Sequence, residues 1–186
     1  MKLHGIDLTF PEFDQKQVLE WTGLNAATLQ NWANRGIIQL KPSRPGKRQR
    51  RLYSAMDVIK LLCIFELSRL GVMPAFASDF ADKAITRRLV EKIEEREREQ
   101  KTGKTEFGTA KKAIFYWKNG EIEYKIRGGS AKNLIGEVFA DGFSEDIPVA
   151  KIEFSIDEAI YKIIRNIMND NMKFLDSKIA KREPDA

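Results

Sequence analysis

Two amides and a guanidinium, Gln30, Asn31 and Arg35, fall within one short segment that also holds Thr28. Amide side chains can pair bidentately with adenine, and arginine reaches guanine or phosphate. Further on, Lys41, Arg44, Lys47, Arg48, Arg50 and Arg51 crowd into a stretch, Lys41 to Arg51, that contains no acid. Such a loop suits phosphate oxygens, or a minor groove where an arginine inserts. Other chemistries lack their residues. His4 and Cys63 are the single histidine and the single cysteine. A histidine- or cysteine-rich metal site within one chain and an internal disulfide are therefore excluded. Ser-His-Asp catalysis would rest on His4 beside the terminus. The acids after Glu91 read as a charged helix face rather than a paired acid/base set, and Gly128-Gly129-Ser130 is too short for a phosphate loop. No cofactor, no metal and no enzymatic activity are expected.

The elements that must carry these residues can be read in order. Met1 to Phe13 alternates loosely and reads as an extended arm. Asp14 suits an N-cap, since its carboxylate accepts from the free N–H groups of a first turn. A short helix follows with Val18, Leu19 and Trp21 inward, and stops at Thr22-Gly23. Asn25 is a second N-cap, and a helix from Ala26 to Arg35 closes at Gly36. Two short helices with glycine in the turn form a helix-turn-helix. Leu29 anchors the second helix, with Thr28, Gln30, Asn31 and Arg35 on its outer side. Trp32 reads either as core or as a contact with DNA.

Ile37-Ile38-Gln39-Leu40 reads as a strand. Pro42, Pro45 and Gly46 bar a helix after it, and Leu52-Tyr53 returns as a second strand, so the basic loop between them forms a wing. Ser54 caps a helix to about Leu70, with Val58, Leu61, Leu62, Phe65 and Leu70 along its apolar side. Cys63 lies among them as an inert thiol. Pro74 suits the first turn of another helix, continuing to about Glu99. From Arg87 its charges alternate in sign, which predicts a solvated face with i,i+4 pairs.

The chain has 186 residues, 42% of them apolar and 32% charged, and a net charge of +5. Residues 1–71 hold 11 Lys/Arg against 6 Asp/Glu, and the remainder is neutral. The whole basic excess thus coincides with the helix-turn-helix and the wing, as expected for a polyanion-binding surface. No stretch is long and apolar enough for a transmembrane helix, and the start lacks the apolar core of a signal peptide.

Past Lys101–Thr105 the character changes. Ala113–Trp117 and Glu121–Ile126 flank Asn119-Gly120, a strong hairpin signal. A short strand is expected near Leu134–Phe139 and another at Val149–Phe154. Ser155 or Asp157 then begins a long helix to about Ala180. Ile156, Ile160, Ile163 and Ile167 form one stripe, and Ile164, Met168, Met172, Leu175 and Ile179 an adjoining one. The helix is roughly 36 Å long at 1.5 Å per residue, and strands of about six residues span near 20 Å. A sheet that short leaves the distal stripe uncovered, so Met168, Met172, Leu175 and Ile179 are expected to contact a second subunit.

The order helix-turn-helix, basic wing, long helix resembles the MerR family of bacterial winged-helix DNA-binding proteins. The resemblance rests on Val18-Leu19-Glu20-Trp21-Thr22-Gly23-Leu24, on Ala27-Thr28-Leu29 leading to Trp32 and Arg35-Gly36-Ile37-Ile38, on Arg51-Leu52-Tyr53-Ser54 with Asp57, and on Leu67-Ser68-Arg69-Leu70-Gly71-Val72. It covers about residues 14–85. It implies binding of double-stranded DNA by a homodimer, with the second helix in the major groove and the wing on the flanking backbone. On the family pattern Thr28, Gln30, Asn31, Trp32 and Arg35 face DNA from the helix. Arg51 and Tyr53 match the family's wing arginine and tyrosine, and the basic loop adds Lys47, Arg48 and Arg50 as expected DNA contacts. The family usually carries arginine where this chain has Gln30, and tyrosine or histidine at Asn31. Its metal and redox sensors use cysteines beyond the long helix, which this chain lacks.

The expected fold is α+β: a winged helix-turn-helix domain over 1–83, a charged connecting helix over 84–104, and a small antiparallel sheet with a long terminal helix over 105–186. The last part would dimerise or receive an effector. The expected function is a cytoplasmic, nucleoid-associated, sequence-specific transcription regulator without metal or redox sensing, with RNA polymerase or another protein as a further partner. The alternatives are an architectural DNA-binding protein of a phage or mobile element, excisionase-like, and a protein-interaction adaptor.

Overall fold

The computed structural model describes residues 1–38, 51–103, 110–118, 121–128 and 151–180. The chain opens with a small antiparallel hairpin, β1 (Lys2–Leu3) and β2 (Ile6–Asp7). Its turn residues His4 and Gly5 both have positive φ, 51° and 80°, the signature of a tight hairpin turn. The arm is therefore folded rather than extended. Leu3, Ile6 and Leu8 are buried, and burying these three outweighs the entropy of leaving the segment loose. The Met56 N–H donates to the Leu8 carbonyl at 3.0 Å, tying the arm to the next layer.

Helices α1 (Gln15–Thr22) and α2 (Ala26–Asn34) follow, then α3 (Ala55–Arg69) and α4 (Pro74–Thr102). Helix α3 is the centre of the fold. Val58, Ile59, Leu61, Leu62, Cys63, Ile64 and Leu67 leave it apolar around most of its circumference, which only an interior helix tolerates. Ser54 and Asp57 close its N-terminus in a reciprocal capping box. Burial pushes the Cys63 thiol pKa well up, which leaves it unreactive.

The expected strand at Ile37–Leu40 does not form in its described half. Ile37 and Ile38 make a bend, because the Ile37 N–H returns to the Trp32 carbonyl at 2.9 Å and its carbonyl accepts from Ser78 Oγ at 2.6 Å. Tyr53 pairs instead with Phe13 in an antiparallel bridge. Gln39 to Arg50, and with them the loop expected to form the wing, lie outside the described residues, as does the strand expected near Leu134–Phe139.

Strands β3 (Lys111–Lys118), β4 (Glu121–Gly128) and β5 (Lys151–Ser155) make an antiparallel sheet in the order β4-β3-β5. Phe115 stands opposite Tyr124 on one side and Ile152 on the other. Helix α5 (Ile156–Ala180) follows β5 without a gap. Phe80 of α4 meets the rings of Phe115 at 4.9 Å and Tyr124 at 4.8 Å. Ile156, Ile160, Ile163, Ile164 and Ile167 are buried on the proximal half of α5. One apolar core thus runs from the N-terminal hairpin to α5. No helix among the described residues is long and apolar enough to cross a membrane.

Helix α4 departs from the solvated face read from its charges. Arg87 does pair with Glu91 at i,i+4, 3.2 Å apart. Arg88, however, is only 2% exposed. Its guanidinium reaches Asp157 Oδ1 at 3.1 Å, Glu95 Oε1 at 2.9 Å and Glu91 Oε2 at 3.2 Å. Lys92 Nζ joins Asp157 at 2.7 Å, and the Lys111 N–H donates to the same carboxylate. Burial works against the charge on Asp157. Hydrogen bonds from Lys92, the Lys111 N–H and Arg88 outweigh it and hold its pKa below the usual aspartate value. The cluster pins the first turn of α5 and the start of β3 to the middle of α4.

Candidate nucleic-acid interface

The two short helices are held by their ends as much as by their cores. Asp14 Oδ1 accepts from the Gln17 N–H at 3.0 Å, and Gln17 Oε1 accepts from the Asp14 N–H at 3.1 Å. Gly23, at φ 77°, ends α1 in the left-handed conformation, which lets the chain reverse within three residues. Thr22 Oγ1 donates to the Val18 carbonyl and accepts from the Leu24 N–H, bracing the turn from inside. Asn25 Oδ1 then accepts from the Thr28 N–H at 2.7 Å and starts α2.

Leu29 and Trp32, three residues apart, point one side of α2 into the core at 2% and 6% exposure. That rotation fixes what faces outward. Gln30, Asn31, Asn34 and Arg35 are exposed, and Thr28 is half-buried at the first turn. Gln30 Nε2 donates to Asn34 Oδ1 at 2.6 Å. The bond uses one of the two amide hydrogens of Gln30. It holds the side chain along the helix with its oxygen and second N–H available, the pair of groups a base edge needs. Asn34 was not among the expected residues. Its signal was the i,i+4 spacing from Gln30.

Two expected contact residues lie elsewhere. Trp32 is core, as one of its two readings had it. Tyr53 is 2% exposed, paired through its backbone with Phe13. Burial raises the pKa of its hydroxyl, with the nearby Arg51 charge acting the other way, so the phenol stays neutral. Both aromatic residues position the helix-turn-helix from beneath. Arg51 is exposed where the chain re-enters the described part. Lys47, Arg48 and Arg50 lie outside the described residues. Of the distal α5 residues, Met168 and Met172 are exposed at 49% and 59%, and Leu175 and Ile179 occupy the same helix further on. No group of three or more histidines, cysteines or acids that could hold a metal ion occurs among the described residues.

Residues 15–81 match the family model described as MerR HTH family regulatory protein, which spans α1, α2, α3 and the start of α4. No curated protein matches the chain. The capped helix pair, its glycine turn and the outward polar set of α2 all lie inside the matched segment: the chain carries a MerR-family helix-turn-helix domain, the unit of a DNA-binding transcription regulator.

Proposed function

We propose that the protein is a sequence-specific transcription regulator that binds duplex DNA as a homodimer, with α2 in the major groove and the basic segment 41–51 on the flanking backbone. The observation that carries this reading is the outward side of α2. Gln30, Asn31, Asn34 and Arg35 project together from a helix whose rotation is set by Leu29, Trp32 and the Asn25 cap. An α-helix fits the major groove, and amide and guanidinium groups read base edges there. The basic excess of residues 1–71 supplies the sequence-independent attraction. A single small module makes few base contacts, so useful specificity calls for two copies on one duplex. With Cys63 buried and His4 the sole histidine, regulation proceeds without metal or thiol sensing. The reading places the protein in the cytoplasm.

Selection of bound fragments from genomic DNA tests this directly. A shared motif with approximate two-fold symmetry is expected. On that motif Gln30→Ala or Asn31→Ala should cost about 1–3 kcal/mol, with little change on random duplex. Fragments with no common motif would overturn sequence-specific regulation. Absence of salt-sensitive duplex binding altogether would favour a protein-interaction adaptor.

A further inference from the structure

Gln30 and Asn34 are both exposed on the outer side of α2, one helical turn apart. That spacing brings their side-chain amides within reach of each other, and Gln30 Nε2 donates to Asn34 Oδ1 at 2.6 Å. The helix beneath them is itself fixed, with Leu29 and Trp32 buried and Asn25 Oδ1 capping the first turn. A glutamine on an open surface samples many rotamers and turns its amide over. Here the end of the side chain is held by a neighbour on the same rigid element.

The bond has a direction, and the direction bears on base reading. A glutamine amide carries one oxygen and two N–H groups. One N–H lies beside the oxygen and the other points away from it. On its major-groove edge adenine offers N7 as an acceptor and the N6 amino group as a donor. To meet both, the amide must use its oxygen and the N–H beside it. The N–H that points away is then the one to spare. Asn34 takes one N–H and leaves the oxygen, so what remains on Gln30 is one donor and one acceptor. A lysine or arginine at position 34 would instead hold the oxygen and remove half of the match. Guanine presents two acceptors on that edge, N7 and O6, and a single remaining N–H cannot serve both. Thymine O4 and the cytosine amino group each give one bond.

We infer, resting on the duplex-binding reading above, that Asn34 is a positioning residue for base choice: its bond holds the Gln30 amide in the orientation that pairs with adenine and disfavours guanine. Asn34 acts through Gln30 and need not touch DNA. Loss of the bond frees the amide to turn over, so adenine loses part of its advantage while the other contacts of α2 persist.

The test is selection from a randomised duplex pool by the full chain, beside Gln30→Ala, Asn34→Ala, the two combined, and Asn34→Asp. The parent should enrich a motif with an adenine position that Gln30→Ala no longer prefers. Adenine should be favoured over guanine there by about five- to a hundredfold. Asn34→Ala should reduce that preference by about two- to tenfold, because the freed side chain must then be ordered on the base. With Gln30 already replaced by alanine, the same change should leave that position unaltered. Asn34→Asp keeps the accepting oxygen and should restore the preference, while its charge weakens binding to every duplex. Urea midpoints should stay near the parent's, since both residues are exposed. A role in helix stability alone would move the midpoints and leave the preference untouched. Parent-like preference in Asn34→Ala, or no restoration by Asn34→Asp, overturns the proposal. So does a loss from Asn34→Ala that persists without Gln30, which would make Asn34 a contact in its own right. A motif with no position governed by Gln30 overturns it and leaves the functional reading standing. A parent that enriches no motif overturns the functional reading, and the role of Asn34 with it.

Discussion

Helices α2 and α5 are each buried along one side and open along the other, and the open sides differ in kind. On α2 the exposed residues are Gln30, Asn31, Asn34 and Arg35; on distal α5 they include Met168, Met172 and Phe174. Amides and guanidinium lose nothing by facing water, so their exposure alone names no partner. What gives it meaning is the helix-turn-helix around them, which aims one polar side outward from a fixed rotation. Apolar side chains in water are an unfavourable state in themselves. There the exposure is itself the unusual feature. The inward sides also differ. Helix α2 is anchored by two residues and a cap, whereas α5 is anchored by five isoleucines and an ion cluster.

The largest expected effect comes from removing the charge that seats α5. Arg88→Ala takes from Asp157, Glu95 and Glu91 the guanidinium they share, and leaves Asp157 with Lys92 and the Lys111 N–H. Breaking one partner of a buried pair costs about 3–5 kcal/mol. Urea unfolding of the full chain should show a loss of that size, and a loss under about 1 kcal/mol would mean that water screens the cluster. Arg88→Met should cost less, because the stem volume stays.

The next effect separates the two sides of α2. Trp32→Ala should cost about 3–5 kcal/mol of stability, as for other buried aromatics. Gln30→Ala should move stability by no more than about 0.5 kcal/mol while lowering affinity for the preferred duplex. If both substitutions lowered affinity and left stability alone, Trp32 would belong to the contact surface after all.

The contrast between the regions also accounts for what could be read without coordinates. Local rules made the helix-turn-helix legible: Asp14, Asn25 and Ser54 are caps of defined chemistry, Gly23 is a left-handed stop, and all act within a few residues. The hairpin of β3 and β4 and the extent of α5 were legible for the same reason. Three features were not. The N-terminal hairpin turns on His4 at positive φ, a conformation that a non-glycine residue does not advertise. Ile37 and Ile38 have strand-forming side chains, but the Ile37 N–H turns back to the Trp32 carbonyl and its own carbonyl accepts from Ser78, 41 positions away. Arg88 sits amid a run of alternating charge, and its partner Asp157 lies 69 positions away. Only its phase, one turn past Ala84 and Ile85 on the buried side of α4, hinted at burial. Asp157, in the first turn of α5, reads equally well as a dipole-stabilising acid.

The smallest expected effect concerns the hairpin that straps the N-terminal region to α4. Arg96 Nη1 lies 2.6 Å from His4 Nδ1. Guanidinium has only donors, so Nδ1 must be the accepting nitrogen of a neutral ring. The pKa of His4 is lowered from 6.5 by burial, then by the charges of Arg96 and Lys92, with Glu99 opposing. A base whose folded pKa lies below its unfolded value is protonated more readily in the unfolded chain. Its contribution to stability is therefore full above about pH 6.5 and is lost as pH falls toward the folded value. His4→Gln keeps a hydrogen-bonding oxygen but cannot titrate. Between pH 7.5 and 5.5 the parent should lose slightly more stability than the variant, and the effect should be small because the contact is exposed and solvent-screened. Glu12, whose pKa is raised by burial and the Asp7 charge, is present in both chains and cancels from the difference. Asp157, whose pKa is lowered, titrates below this window and stays charged throughout. Urea unfolding at the two pH values measures the difference. Equal losses in both chains would show that the strap holds through Leu3 and Ile6 alone.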